Sequence, residues 1–487
     1  MRTMISKILV CILVPFVVLS IMFDPADAQA WNDGDGGKVK WQYDCDFPGN
    51  DIGNQRVPGD QCGGLCINTN GCNHFSHFNG ICYLKKASSI PPRKQTSGGG
   101  GLCGFLTGRD HVQHAIRAGL VPVRGVNLGG WLVVENWINS KDPLWDGVPS
   151  TVSSGGEMQT MRYLGHEVGD ARFRTHWDTF VTEEDIASIA RNSLNTVRVP
   201  IGWWILGYDT HDPSNQQGYK TFAPGGLYFL DRLVQEWAIK YNVAVLIGIH
   251  AAKGSQNGND HSSPSDPGQV YWSQYPENID NTLEVARFFA SRYRNTPSFL
   301  GVELLNEPTS VDVAKLKDYY LRAYDAIRTT GNDCILVTSP ILREQNAGTS
   351  SDWENFMPSP AYTNMWHDWH KYLIWGYEGK TADWIMKEGV ALIAADIAAW
   401  TGAPLVMGEW CVAAPGSAVF TDVTLKQYAY NMITTMEAMK GGWTMWTWKQ
   451  EGKNPRPDGQ GGWSMKDLIN DCIMDPKWWN NTSTVCP

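Results

Sequence analysis

Two short strings, Leu304-Leu305-Asn306-Glu307-Pro308 and Val406-Met407-Gly408-Glu409-Trp410, each set a glutamate at the end of an apolar run. Such a run reads as a buried strand. Two carboxyl groups brought by different strands to one end of a barrel can cleave a glycosidic bond. One must be protonated, to donate to the leaving oxygen. The other must be ionised, to attack the anomeric carbon. A lone Asn-Glu-Pro is an ordinary turn; its repetition in kind after a second strand carries the signal. Glu307 is assigned as acid/base, with a raised pKa and hence a bell-shaped, acidic pH profile, and Glu409 as nucleophile.

Positioning them needs a scaffold of alternating strands and helices. Strand-like runs fall at Val123–Leu128, Thr196–Pro200, Val243–His250, Leu300–Asn306, Ile335–Ser339, Asn364–His370, Leu405–Glu409 and Trp443–Trp448. Helical patterns lie between them, at Thr282–Arg294, Val311–Thr330, Ala382–Trp400 and Thr424–Lys440. Thr182-Glu183-Glu184-Asp185 reads as a helix start with acids in its first turn. Eight strands interleaved with helices predict an α/β fold, a (β/α)8 TIM barrel with enlarged loops. No Gly-x-Gly-x-x-Gly follows the first strand, against a dinucleotide fold.

Such barrels work at the C-terminal ends of their strands. There the sequence places Asn127, Arg198, His250, Asn306, His370, Tyr372, Trp446 and Trp448. Asn306 is suited to bond a sugar 2-hydroxyl, Arg198 to hold Glu409 ionised, and Tyr372 to donate to the other Glu409 oxygen. His367 and His370 together suggest a metal, but positions three apart on a strand face opposite sides. No metal and no cofactor are expected.

The start of the chain bounds its compartment. Arg2 and Lys7 precede an apolar run from Ile8 to Phe23, and small-x-small sites end at Ala28 and Ala30. Residues 1–30 read as a secretory signal peptide, leaving no membrane association after cleavage. Beyond Cys11 there are ten cysteines, six of them between Cys45 and Cys103, which marks a small disulfide-stapled module. Cys472 and Cys486 are the easiest further pair; Cys334 and Cys411 are left open as buried thiols. No cysteine or histidine spacing suits zinc. A net charge of −10 without a basic cluster argues against nucleic acid and fits a neutral polymer. Ser88 to Gly101, rich in Ser, Pro and Gly, reads as a loop at a boundary. Domains are therefore drawn at 31–109 and 110–487. Asn480 and Asn481 both fit the N-glycosylation pattern.

Several stretches carry a resemblance. Arg124-Gly125-Val126-Asn127-Leu128-Gly129-Gly130-Trp131, Asn195–Trp203, Gly254-Ser255-Gln256-Asn257-Gly258, the Asn-Glu-Pro and Gly-Glu-Trp strings and Trp446-Thr447-Trp448-Lys449 resemble secreted exo-β-1,3-glucanases of glycoside hydrolase family 5. The resemblance runs in order over residues 120–470. It implies a retaining enzyme with Glu307 as acid/base and Glu409 as nucleophile. It implies substrate binding by Arg198, His250, Asn306, His370, Tyr372 and Trp446, and by Glu135, matched to the carboxylate gripping the non-reducing-end glucose. Trp375 stands where the family has a phenylalanine clamp, and Ala252-Lys253 where Ala-Pro is usual, so the outer subsites depart from the pattern.

Cys45-Asp46-Phe47-Pro48-Gly49-Asn50-Asp51-Ile52, with Cys62, Cys66, Gly71-Cys72-Asn73-His74-Phe75 and Cys82-Tyr83-Leu84-Lys85, resembles a PAN/Apple-like domain. That likeness implies a carbohydrate- or protein-binding module, with Cys62 and Cys66 stapled to Cys72 and Cys82 and Cys45 to Cys103. The expectation is a secreted, monomeric enzyme, extracellular or in a cell wall, that releases glucose from β-1,3-glucan. The alternatives are a relative acting on β-1,6-glucan or a glucosylated lipid, a transglycosylating relative, and a non-catalytic glucan-binding protein.

Overall fold

In a computed structural model, the described residues are 31–69, 71–86, 94–96, 100–107, 111–346, 348, 351–451 and 461–480. Residues 1–30, most of the Ser/Pro/Gly-rich stretch, Cys486 and Asn481 lie outside them, so the readings of a signal peptide and of that glycosylation site fall there too.

Eight runs rich in Val, Ile and Leu close into one parallel barrel: β1 (Val123–Asn127), β2 (Thr196–Gly202), β3 (Ala244–Ala251), β4 (Phe299–Glu303), β5 (Ile335–Thr338), β6 (Met365–Lys371), β7 (Leu405–Trp410) and β8 (Gly442–Met445). They pair in chain order, and Gly442 of β8 meets Val123 of β1 to close the ring. All eight expected strands are present, with ends shifted by a few residues. Being covered on both faces, they are buried almost throughout, as parallel strands require. Thr182 caps the helix Glu183–Arg191, its side chain and that of Asp185 bonding each other's backbone amides, as the sequence suggested. The long helix Glu157–Phe180 was not foreseen; Gly165, at φ +66°, interrupts it, and its apolar residues make no clean stripe.

The base of the barrel is closed by the helix Val112–Arg117. Its Ile116 packs among Val123, Leu246, Leu300, Ile335 and Val406, residues from the N-terminal halves of the strands.

The residues before it form a small domain. Its six-stranded antiparallel sheet runs in the order Asn32–Gly34, Val39–Tyr43, Leu102–Leu106, His74–Phe78, Ile81–Lys85, Asp51–Arg56. Leu102–Leu106, which follows the Ser/Pro/Gly-rich stretch, is the third strand of this sheet. Disulfides join Cys45 to Cys103, Cys62 to Cys82 and Cys66 to Cys72. Cys472 is also disulfide-bonded, while Cys334 and Cys411 are buried free thiols. Among the described residues no helix is long and apolar enough to cross a membrane.

This domain is packed against the barrel. Phe47, Phe105 and the Cys45–Cys103 disulfide form one apolar cluster with Ile239, joined by Trp31. Lys240, 1% exposed, points its ammonium at the rings of Phe47 (5.0 Å) and Tyr241 (4.9 Å) and pairs with Glu183 at 2.6 Å. Ile239 and Lys240 lie just before β3 begins; His250, near its other end, lines the mouth of the barrel. The six strand residues before His250 put roughly 20 Å between the two.

Phe47→Ala should therefore cost about 3–5 kcal/mol of folding stability. The melting temperature should fall while kcat/KM on a short soluble oligosaccharide stays at the wild-type value. A variant that melts like the wild type would show that this contact does not anchor the domain.

Candidate active site

The C-terminal ends of the strands surround a cavity of about 810 Å³. Its lining includes Glu135, His250, Glu307, His370, Tyr372, Trp375, Glu409 and Trp446. Of the ten residues singled out in the sequence, these eight line the cavity directly. The other two, Arg198 and Asn306, lie beneath it and are fully buried.

Arg198 rises from β2 and spends all five of its N–H donors on four partners. Nε and Nη2 grip the two oxygens of Glu303, the second at 3.0 Å. Nη2 also donates to Asn306 Oδ1 at 2.6 Å, and Nη1 to Asn127 Oδ1 at 2.7 Å and Glu409 Oε1 at 2.9 Å. The Tyr372 hydroxyl donates to Glu409 Oε2 at 2.7 Å. Both Glu409 oxygens are thus held, as Arg198 and Tyr372 were expected to hold them. Burial leaves the Glu409 carboxyl above its ordinary value; His370, Arg198 and the Tyr372 donor offset only part of that rise.

Glu307 follows β4 with φ +42°, in the left-handed region that side chains avoid. Asn257 holds its carbonyl, at 3.3 Å, and His370 Nδ1 lies 2.8 Å from its Oε1. The same Nδ1 lies 3.5 Å from Glu409 Oε2. An oxygen of Glu307, an oxygen of Glu409 and a ring nitrogen of His370 fall within 4.8 Å of one another. Burial would raise Glu307; the hydrogen bond and charge of His370, with His261 and Arg198, outweigh it and hold the group at about 2. This corrects the expectation of a raised pKa for Glu307. The cause is His370, 63 positions away in sequence, whose own pKa is driven up, against its burial, by Glu409, Asp368 and Glu307. The three groups titrate together.

His250 stacks on Trp446, centroids 5.4 Å apart and 6° from parallel, and burial keeps its imidazole neutral. Glu135 takes a hydrogen bond from Trp137 Nε1 at 2.9 Å. Glu135 Oε1, His250 Nδ1 and Asn306 Nδ2 are buried with no hydrogen-bond partner among the described residues. They offer an acceptor, a ring nitrogen and a donor at one pocket, the inventory a polyhydroxylated ring would satisfy. Farther out, Trp375 is 65% exposed beside Tyr372 and Trp463, and Trp463 meets Trp137 edge-on. His367 turns away from the pocket and stacks on Trp400.

Several participants escaped the sequence reading. Glu303 and Asp368 are buried carboxylates inside apolar strands. Gln256 bridges the carbonyls of His250 and Asn306, tying the ends of β3 and β4. His261, Asp260, Trp137 and Trp463 line the cavity from loops. Gln256 lay within the resembling string Gly254–Gly258, which was the available signal. The others had none in sequence alone.

Residues 162–452 match the family Cellulase (glycosyl hydrolase family 5). A glucan 1,3-beta-glucosidase of Blumeria graminis is 35% identical over 260 residues, which cover 52% of this chain and 55% of that one. A probable glucan 1,3-beta-glucosidase A of Aspergillus terreus is 30% identical over 72% of this chain and 87% of that protein. Among solved structures, a rutinosidase from Aspergillus niger superposes with a TM-score of 0.61 at 20% identity, covering 73% of this chain and 99% of that one, a likeness of fold.

One buried acid supports the pocket from behind. Glu157 accepts from Trp204 Nε1 at 3.0 Å and from the amide of Val134, beside Glu135, at 3.4 Å. Burial pushes its carboxyl from 4.5 up to about 8. The folded state therefore holds this proton more tightly than the unfolded chain does. Its contribution to stability is complete below about pH 4.5 and is lost as the pH rises through about 8. Thermal melts should show stability declining over that window, with Glu157→Gln removing much of the slope. An unchanged slope would exclude Glu157 as its source.

Proposed function

The chain belongs to glycosyl hydrolase family 5 and is a glycoside hydrolase, and from that premise we propose a secreted, retaining exo-β-1,3-glucanase that releases glucose from non-reducing ends. The observation that carries the retaining reading is the closeness of the Glu307 and Glu409 oxygens, within 4.8 Å. Double displacement works with carboxyl groups about 5–5.5 Å apart, whereas inversion needs about 6.5–9.5 Å to admit a water.

In this reading Glu409 attacks the anomeric carbon of a glucose stacked over Trp446. Arg198 and Tyr372 aim its oxygens and take back the charge when the ester breaks. Glu307 protonates the departing glycosidic oxygen, then removes a proton from the water that cleaves the glucosyl-enzyme. Asn306 Nδ2, unpaired in the pocket, is free to bond the sugar 2-hydroxyl. Glu135, whose Oε1 is unpaired at the cavity wall, accepts from hydroxyls of the terminal glucose, which favours exo action. Trp375 and Trp463 offer faces to the leaving portion. The β-1,3 linkage is supported by the names of the relatives, and secretion by four cysteine-bearing crosslink sites in so small a set of cysteines. The amino-terminal domain, with its three disulfides, resembles PAN/Apple-like modules. Its contacts at the base favour a role in supporting the fold.

Glu409→Ala should fold normally and lose several orders of magnitude in turnover, with azide restoring some of it as the α-glucosyl azide. Wild-type rates in that variant would refute the nucleophile. Early products from laminarin should be glucose with the β configuration at the anomeric carbon. Faster release from a β-1,6-glucan, or oligosaccharides longer than the substrate, would instead point to the other linkage or to transfer.

A further inference from the structure

We propose that Asp368 is a positioning residue for both catalytic carboxyl groups: through His370 it keeps Glu307 able to carry the proton it donates, and through Gly408 it sets the strand that bears Glu409. The inference rests on the acid/base reading of Glu307 given above.

Asp368 lies in β6 and is 1% exposed. Its Oδ2 is 3.0 Å from His370 Nε2, and its Oδ1 accepts from the amide of Gly408 at 2.7 Å. That amide belongs to an irregularity in the ladder. Trp369 pairs with Met407 and His370 with Glu409, so Gly408 is the extra residue of β7. A bulge re-aims the side chain that follows it and leaves an amide unpaired. Here the following side chain is Glu409, and Asp368 takes the amide. A Cβ at 408 would meet the Asp368 carboxylate at 2.4 Å and displace it from the Gly408 amide.

The second oxygen acts on a proton. His370 is faced by Glu307 and Glu409 at Nδ1, by Asp368 at Nε2, and by the fields of Arg198, Glu303 and His250; its backbone amide donates to Gln345. Asp368, an acceptor only, commits one ring proton to Nε2. Only the proton between Nδ1 and Glu307 is then free to move. Carboxylate with imidazolium, and carboxylic acid with neutral imidazole, hold the same number of protons. Glu307 can therefore change from its ionised form to the acid needed at bond cleavage without uptake from solvent. The proton passes from Nδ1 to the carboxyl group, and on to the leaving oxygen. When water later attacks the glucosyl-enzyme, the carboxylate takes its proton and the pair is restored.

Asp368→Asn tests this. The amide oxygen can still accept from Gly408, but the amide nitrogen would donate to Nε2 and force the ring proton onto Nδ1. Glu307 then faces a donor that favours its anion and gives it no proton. The loss in kcat/KM should be about 10²–10³-fold on laminaribiose, whose leaving group needs protonation. On 2,4-dinitrophenyl β-glucoside, whose leaving group needs none, it should be under about tenfold. A residue that merely supports the fold would lower both alike, and equal losses, or no loss, would overturn the proposal. Glu307→Gln is the reference: it must show the same selectivity. If it does not, the acid/base reading fails; if it does and Asp368→Asn does not, only the role of Asp368 fails. Should Asp368→Asn not fold, nitrogen-15 histidine spectra of the wild type decide. Nε2 of His370 should stay protonated throughout the folded range while Nδ1 titrates; an unprotonated Nε2 would overturn the proposal.

Discussion

One buried guanidinium organises the mouth of this barrel. Arg198, on β2, bonds Asn127 of β1, Glu303 of β4, Asn306 just after β4 and Glu409 of β7, so four strands share one planar fork. Removing such a charge from water is expensive, and the bonds it makes roughly repay that cost rather than adding stability. What it confers is geometry. The fork is rigid, so the oxygens of Glu303, Asn127, Asn306 and Glu409 are placed relative to one another once Arg198 is placed. On the proposed double-displacement reading, Glu303 would be the partner that keeps the guanidinium anchored when Glu409 loses its charge to a covalent bond. A lone Arg198–Glu409 pair would be left as an uncompensated cation at that step.

The same cluster explains the acid–base behaviour. Glu303, Glu307, Asp368 and Glu409 crowd around Arg198 and His370 in a region almost closed to water. Four carboxyl groups share two basic partners, and low dielectric makes like charges so close together costly. His370 becomes cationic for that reason, and its charge in turn holds Glu307 ionised. Esterification of Glu409 would remove one negative charge and weaken the hold of the cluster on the His370 proton. The pair formed by Glu307 and His370 is thus poised by the charge state of Glu409, which lies 3.5 Å from the same ring nitrogen.

Much of this was legible in the sequence, for a simple reason. Parallel strands buried on both faces are continuous apolar runs, and the polar residues ending them mark the working face. Glu307, Glu409, Arg198, His250, His370, Tyr372 and Trp446 were all found in that way, and the structure gathers them at one mouth. The residues missed are of two kinds. Glu303 and Asp368 sit within strands, where a single acid looks like an outward-facing position; only the closed barrel shows that both point inward to a cation. His261, Trp137 and Trp463 come from loops, whose path depends on packing and not on local pattern. The direction of the Glu307 shift was missed because it depends on the nearest charge, and His370 is brought there by β6. The helix Glu157–Phe180 was missed because its buried residues include Glu157, Thr160 and His176, which blur the apolar stripe that would have revealed it.

The amino-terminal domain belongs to the same physical argument, from the other end of the barrel. Lys240 is a fully buried cation, yet it lies at an interface between two parts of the chain. Burial of an ammonium is tolerable only with charge and dipole around it. Glu183 supplies the charge from the barrel, and Phe47 and Trp31 supply ring faces from the small domain. Without those rings Lys240 would be open to solvent, and Ile239 with it. An isolated barrel would therefore expose a surface built to be covered. Such an arrangement suits a domain that folds onto its barrel and stays there, more than one carried on a flexible tether. The contact lies just before β3, at the end of that strand opposite His250 and the cavity, so the domain braces the base of the barrel.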